Sequence, residues 1–389
     1  MKIAIVHDWL TGMRGGEKCL EVLCKLYPSA DLFTLLHIPG KVSAVIESHR
    51  IRTSFIQNLP FAESKYRYYL PLMPFAIERF NLKGYDLILS SSHCVAKSIK
   101  PGTQSLHICY CHTPMRYIWD QFDQYFGGAN CNGLTTAVMR SLRPWLQRWD
   151  VRTSRRVNNF IANSRHVQKR IKKYYGQEAK IIHPPVDTGF FTPQRNEEKA
   201  DFFLIVSAFA PYKRIDIAVD AFNKLGLPFR VIGEGQDARR LKEMAKDNIR
   251  FEGWLDNSEI RSHFSRCRAF IFCGEEDFGI TLLEAQAMGR PVIALGRGGA
   301  LETVIPDSQS WKPETEIEKS ATAQPTGVFF YEQTPEALMQ AIQHFESIES
   351  QFDANAIRKH AEQFDVSVYT ERMRSFIASV TLDSKGRCP

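Results

Sequence analysis

The 389 residues, 44% hydrophobic and 24% charged with a formal net charge of +7, describe a soluble globular chain long enough for two domains. No apolar run approaches the roughly eighteen residues of a membrane span, and Asp8 interrupts an N-terminal run already too short for a signal peptide. Nine cysteines, an odd number with no framework of spacings, point to reduced thiols and a cytoplasmic chain.

Lys2 to Val6 reads as a buried strand with His7-Asp8-Trp9 at its carboxyl end. Gly12, Gly15 and Gly16 follow, ahead of a helical pattern from Glu17 to Leu26. A glycine pair there lets the backbone approach a ligand closely, although tight turning alone would also use it. Arg52 to Phe80 mixes Tyr, Phe, Leu and Pro with basic residues, which predicts two packed helices, with membrane docking as the alternative. Tyr85 to Ser91 and Ser105 to Cys111 are further strands. Pro114 breaks the second and leaves His112, Arg116 and Tyr117 at its carboxyl end. His107, Cys109 and Cys111 share one face of that strand. A tetrahedral metal site needs a second pair of ligands at a familiar spacing, which is missing here, so these read as core thiols.

Between Arg140 and Lys173 lie eleven Lys or Arg, with Asp150 the only acid and Trp145 and Trp149 interleaved. This is either a solvated face or a surface for anionic lipid headgroups or a lipid diphosphate. No recognisable nucleic-acid module accompanies it. Phe160 to Ser164 is a strand running into an N-cap serine, followed by a basic helix to Tyr175-Gly176. Lys180 to Asp187 is the last strand of the half, and the polar, aperiodic stretch Thr188 to Asp201 reads as a linker. Domains 1–190 and 191–365 follow from it.

The second half repeats the pattern. Strands at Phe202–Ser207, Phe229–Ile232, Ile249–Phe251, Ala269–Phe272, Pro291–Leu295 and Val328–Tyr331 alternate with helical segments, which predicts an α/β fold with a parallel sheet. Gly233-Glu-Gly235-Gln-Asp-Ala238 satisfies the dinucleotide fingerprint, with Glu252 placed for a ribose, yet it follows the second strand of its half rather than the first. Cys273 to Gly289 is a polar loop and a short helix after a buried strand. Glu276 and Glu284 frame the loop and can reach one ligand from two sides. Thr281-x-x-Glu284 also has the form of a capping box, so residues alone leave Glu284 between cap and ligand.

Glu276-Asp-Phe-Gly-Ile-Thr-Leu-Leu-Glu284, with Ala-Gln-Ala-Met-Gly-Arg-Pro-Val-Ile-Ala and Gly298-Gly299-Ala-Leu-Glu-Thr-Val after it, resembles the donor-site signature of retaining family-four glycosyltransferases. The resemblance implies the GT-B fold, two facing Rossmann-like domains with a cleft between them, and a last helix, 366–382, that returns to the first domain. It implies Glu276 on the transferred sugar, Glu284 on the ribose and the backbone of Phe278, Gly279, Ile280 and Thr281 on the diphosphate. It places His112 on the sugar, and Lys213 on the diphosphate with Arg214 beside it. Gly15, Gly16, Ser207, Gly233, Gly235, Gly253 and Trp254 complete the donor contacts, and Asp8, Arg116 and Tyr117 face the acceptor. The family pairs the lysine with an arginine five residues earlier, where this chain has Ala208.

The implied activity is metal-independent hexose transfer without a cofactor from a nucleoside diphosphate sugar to a glycan or lipid-linked acceptor. The Pro-Tyr-Lys-Arg and His-Thr-Pro-Met-Arg-Tyr stretches are similar to bacterial mannosyltransferases of surface polysaccharide assembly and favour GDP-mannose. The chain has no Asp-x-Asp motif to hold a metal. Rival readings are an NAD-dependent oxidoreductase built on Gly233–Ala238 and a non-catalytic donor-binding subunit. The expected location is the cytoplasm, with a peripheral contact on the inner face of the plasma membrane as an option.

Overall fold

A computed structural model describes residues 1–127, 133–193, 200–312 and 324–385. The chain divides into two compact units, one of Met1–Pro185 with Ser367–Pro389 and one of Val186–Val366. The break falls a few residues before the expected linker, part of which lies outside the described residues.

The first unit holds seven parallel strands, β1 (Ile3–His7), β2 (Asp31–Thr34), β3 (Arg50–Thr53), β4 (Leu87–Ser92), β5 (Leu106–Cys111), β6 (Asn159–Ala162) and β7 (Ala179–Ile181), in the order β3-β2-β1-β4-β5-β6-β7. β4 is buried at every position, as a central parallel strand covered on both faces must be. The order reverses between β1 and β4. At such a switch the loops leaving two adjacent strands diverge and open a crevice at the carboxyl end. From Ser367 on, the helix Val366–Lys385 belongs to this unit and places Tyr369, Met373 and Ile377 in its interior.

The segment read as two helices is different. Arg52 and Thr53 end the edge strand β3, and Phe55 to Glu78 forms four short helical pieces, two of them 3₁₀. Pro60, Pro71 and Pro74 interrupt the run and remove the amides a longer helix would need.

The basic stretch also divides. The helix Gly133–Ser154 buries Trp149, whose Nε1 donates to Glu78 at 3.0 Å. Arg143 donates to the carbonyls of Ile118 and Trp119, Arg156 donates to Glu78, and the buried Arg170 pairs with Asp120 at 2.7 Å. Arg140, Arg148, Arg152 and Arg155 face solvent. Beneath the same helix Lys97 and Asp150 form a fully buried ion pair, Nζ to Oδ1 2.8 Å, and Asp150 Oδ2 accepts from Trp119 Nε1 and Tyr175 Oη, each at 2.9 Å.

The second unit carries six parallel strands, β8 (Phe203–Val206), β9 (Phe229–Ile232), β10 (Ile249–Gly253), β11 (Phe270–Phe272), β12 (Val292–Leu295) and β13 (Gly327–Phe330), ordered β10-β9-β8-β11-β12-β13. Its switch lies between β8 and β11. Two apolar layers sandwich the sheet, one centred on Phe203, Phe222, Phe229 and Phe345 and the other on Phe264, Phe270, Leu282 and Leu283. Among the described residues no helix is long and apolar enough to cross a membrane.

Candidate active site

In the second unit the switch brings two loops together. The chain leaving β8 runs through Ser207 and Ala208 to the turn Pro211–Lys213, and the chain leaving β11 runs from Cys273 to Gly279. They touch backbone to backbone at Gly274, where a Cβ would lie 3.2 Å from Lys213 Cα and 3.3 Å from the carbonyl oxygen of Tyr212. This approach sets the Lys213 ammonium on the Glu276 carboxylate in a partly buried ion pair. Two residues sixty-odd positions apart thus form one charged centre.

A second backbone contact holds the loop from behind. Gly299 N–H donates to the Glu276 carbonyl at 2.8 Å, and a Cβ at Gly299 would lie 2.2 Å from Phe278 Cα. Phe278 is buried in the apolar layer beside Phe364. Its side chain is an anchor, and only its backbone faces the loop. Gly279, at φ +86°, turns the chain into the helix Ile280–Ala287. A left-handed residue without a side chain leaves the first amides of that helix uncapped, and such amides favour an anion.

The cap reading of Glu284 is corrected here. A box through Thr281 needs Thr281 to be the N-cap, but the N-cap is Gly279, two residues earlier. Glu284 stands mid-helix and is 6% exposed. Arg214 follows Lys213 at the end of the turn and is partly exposed. It sits at φ +52°, and its guanidinium grips Asp216 through Nε and Nη2 at 3.2 and 3.3 Å and reaches Gln333 through Nη1.

Gly233 and Gly235 pack under the β8 loop, where Cβ atoms would lie 1.9 Å from the Ser207 carbonyl oxygen and 2.5 Å from that of Phe209. Gly233 N–H donates to the Gly253 carbonyl at 2.8 Å, which ties the ends of β9 and β10, and the neighbouring Trp254 is 72% exposed. The glycine run therefore leaves a strand away from the switch, and Glu252, the ribose acid of a dinucleotide reading, pairs with Arg230 at 3.1 Å.

In the first unit, the β1–β4 register sets His7 beside Ser91. His7 Nδ1 lies 3.1 Å from Ser91 Oγ, and Ser91 Oγ lies 2.8 Å from His112 Nε2. Glu17 Oε1 stands 3.5 Å from His7 Nε2, and its other oxygen accepts from the amide of Arg14 at 3.0 Å. Burial raises the Glu17 carboxyl, but the His7 contact and the charges of His7 and His93 outweigh it and hold the group below its ordinary range. Gly15 and Gly16 form the first turn of the helix Gly15–Leu26 rather than a preceding loop, and a Cβ at Gly16 would lie 3.6 Å from His112 Nε2.

Asp8 does not face an acceptor. It is fully buried, and its two oxygens accept four amides, those of His93 and Cys94 at 2.7 and 2.9 Å and of Val95 and Ala96 at 2.6 and 2.7 Å. It organises the turn after β4. Tyr117 is packed inward against Tyr125, with ring centroids 4.6 Å apart, and burial pushes its hydroxyl well above the ordinary range. Arg116 lies in the same turn, half-buried. His107 Nδ1 donates to the Arg156 carbonyl at 3.1 Å and Nε2 accepts from Ser90 Oγ at 2.8 Å, and burial lowers the ring to about 4. Cys109 and Cys111 are buried thiols. Among the described residues no three His, Cys, Asp or Glu side chains converge as metal ligands.

The family described as Glycosyltransferase Family 4 matches residues 22–190, and that described as Glycosyl transferases group 1 matches residues 188–364. The chain belongs to the family-four glycosyltransferases. The O-antigen chain mannosyltransferase C of Escherichia coli is 32% identical over 117 residues, 28% of this chain and 32% of that protein. A GDP-mannose-dependent monoacylated alpha-(1-6)-phosphatidylinositol monomannoside mannosyltransferase of Corynebacterium glutamicum is 28% identical over 173 residues, 37% of this chain and 45% of that one. The chain spans less than half the length of these curated relatives. The structure of Anabaena HepE in complex with UDP aligns over 97% of this chain and 100% of that chain with a TM-score of 0.69 and 17% identity. That of sucrose-phosphate synthase from Thermosynechococcus elongatus aligns over 98% and 100% with a TM-score of 0.71 and 16% identity. At these identities the likeness carries the fold, which is GT-B.

Ser91 and His93, which lie beside His7 and His112 in the structure, are marked by no motif of the sequence. The only signal available was that His7 and Ser91 both end apolar runs, and the register that joins them is a property of the sheet.

Proposed function

We propose that this glycosyltransferase moves a hexose, mannose, from GDP-mannose to a glycan or lipid-linked glycan with retention of configuration and without a metal. The carrying observation is the Lys213–Glu276 pair at the β8–β11 switch, beside the uncapped start of the helix Ile280–Ala287. In this reading the donor diphosphate takes over the Lys213 charge and the amides of Ile280 and Thr281, and Glu276 turns to the hydroxyls of the sugar. Preorganised charge of this kind stabilises a leaving diphosphate without reorganisation. Arg214 is held by Asp216 and Ala208 has no charge, so Lys213 acts without a second cation from this loop. No covalent nucleophile is required. The leaving diphosphate accepts the acceptor's proton as the new bond forms on the same face. Glu284 accepts from the ribose hydroxyls, and His112 meets the sugar. The two mannosyltransferase relatives support the choice of sugar and base.

Thermal unfolding with excess EDTA in the presence of GDP, UDP, ADP or NAD tests this reading. Ligand at a hundred times its dissociation constant adds about 2.7 kcal/mol. We expect GDP to raise the midpoint and NAD to leave it unchanged. In Glu284→Gln, loss of charged hydrogen bonds worth roughly 1.5–3 kcal/mol shrinks the GDP shift. A shift with NAD alone overturns the transferase, and full GDP affinity in Glu284→Gln overturns the ribose role.

The first unit supports peripheral membrane contact. Phe61, Tyr68 and Phe75 are more than half exposed, and Phe75 stacks on the exposed Trp145 with centroids 5.8 Å apart. Lys65, Arg67, Arg79 and Arg148 are exposed on the same segments. Aromatic side chains with flanking cations suit an anionic headgroup layer. The protein is expected to float with vesicles containing anionic phospholipid and not with neutral ones, and Phe75→Ala with Trp145→Ala to abolish flotation. Equal flotation of the variant removes this surface from the proposal.

A further inference from the structure

Arg214 holds a backbone conformation that disfavours any side chain. It lies at φ +52° and ψ +41°, one of two residues other than glycine with a positive φ among the described residues, and the helix Ile215–Leu225 starts from it without a side-chain cap. A left-handed residue other than glycine is uncommon, and its strain persists only where the surroundings over-determine it. The turn needs this handedness. Lys213 N–H donates to the Ala210 carbonyl at 2.9 Å and Arg214 N–H to that of Pro211 at 3.2 Å, after which the chain enters the helix. Glycine adopts such angles without steric cost, so what arginine brings to the position is its side chain.

The guanidinium spans two loops. Nε and Nη2 meet the two carboxylate oxygens of Asp216 at 3.2 and 3.3 Å, a fork that fixes the plane of the group, and Nη1 donates to Gln333 Oε1 at 3.3 Å. Gln333 extends the contact. It lies just beyond β13, and its Nε2 donates to the Cys273 carbonyl at 2.9 Å. Cys273 opens the loop that carries Glu276, and the next residue, Gly274, is where that loop meets the backbone of Tyr212 and Lys213. One side chain, starting from the residue after Lys213, thus returns through Gln333 to the root of the Glu276 loop. We infer that Arg214 is a positioning residue: with Asp216 and Gln333 it latches the turn of Lys213 to the loop of Glu276 and holds the ammonium and the carboxylate in register.

The catalytic meaning rests on the reading that Lys213 and Glu276 act on the donor. Three variants of the full chain separate a latch from a direct contact between Arg214 and the diphosphate. Arg214→Gly removes the side chain and relieves the backbone, Gln333→Ala cuts the far end of the latch, and Arg214→Lys keeps the cation but lacks the planar fork that engages Asp216 and Gln333 together. In Arg214→Gly and in Gln333→Ala, kcat for transfer is expected to fall by roughly tenfold to a hundredfold, as a small misplacement of contacting groups produces, with donor KM within about threefold. Arg214→Lys should fall with them, and the double variant Arg214→Gly with Gln333→Ala should fall no further than either single one, because both break one latch. Hydrogen exchange at the amides of Lys213 and Arg214, measured without donor, should quicken in Gln333→Ala. That variant leaves the backbone of the turn untouched and decides the question if Arg214→Gly unfolds. Parental kcat in Arg214→Lys, independent losses in the double variant, or unchanged exchange in Gln333→Ala overturns the inference. Exchange that quickens in Gln333→Ala while neither it nor Lys213→Ala alters kcat supports the latch and rejects the placement of Lys213 on the diphosphate.

Discussion

Glu276→Ala is expected to lower the turnover of sugar transfer by roughly 10²- to 10³-fold, the loss associated with one preorganised group of an electrostatic site. The fold should survive. The contact that holds the loop against Gly298-Gly299 comes from the Glu276 carbonyl, and the alanine variant keeps it. Phe278 still anchors the loop in the apolar layer. Lys213 loses the Glu276 carboxylate but is partly exposed and lies 5.2 Å over the Tyr212 ring, so water can serve its charge. Glu276→Gln keeps the shape of the contact and loses its charge, and should fall between the alanine variant and the parent. Initial rates of nucleoside diphosphate release, measured with the thermal midpoint, check both statements. Turnover within threefold of the parent in Glu276→Ala, at saturating donor, would remove Glu276 from the chemistry.

The largest stability effect is expected elsewhere, at a pair with no part in transfer. Asp150→Ala leaves the Lys97 ammonium in the interior with uncharged partners, the carbonyl of residue 150, the hydroxyls of Ser98 and Thr153 and the rings of Tyr175 and Trp149, 4.7 and 6.0 Å away. It also removes the acceptor of Trp119 Nε1 and Tyr175 Oη. Breaking a buried pair from one side costs about 3–5 kcal/mol, because the surviving charge is uncompensated. Urea unfolding of the full chain should show a lower midpoint and an extrapolated unfolding free energy smaller by that amount. Lys97→Met combined with Asp150→Leu removes both charges and should recover part of the loss, since an apolar pair of similar volume is often neutral or better. A single-variant loss below about 1 kcal/mol would mean that water reaches the pair, the behaviour of an exposed ion pair.

The sequence was most legible where chemistry and periodicity coincide. Nearly every central strand was placed within a residue or two, because a parallel strand covered on both faces is an apolar run with sharp ends. β2 and β3 were missed. Each has four residues, and β3 alternates Arg50, Ile51, Arg52 and Thr53 on the sheet edge, where charge is protective and apolar pattern is weak. Lys213 and Glu276 were legible by motif, and the structure adds the reason they meet, the bare backbone at Gly274. Thr281 misled by two residues, since the N-cap is Gly279. A capping box is read from side chains, and the left-handed Gly279 that starts the helix has none. Asp8 misled differently: a carboxylate at the end of a strand can face a substrate or hold the next turn, and four amides decide that. Ser91 carried no signal by itself, since its neighbours His7 and His112 are supplied by other strands.

The return of the helix Val366–Lys385 to the first unit has a consequence for synthesis on the ribosome. Val186 to Val366 is one uninterrupted stretch, so the second unit can close as soon as it has emerged. The first unit begins to emerge earlier, yet its interior lacks Tyr369, Met373 and Ile377 until translation has passed them. Vectorial folding, which ordinarily completes domains in the order they are made, is inverted here: the later half is finished first, and the earlier half waits.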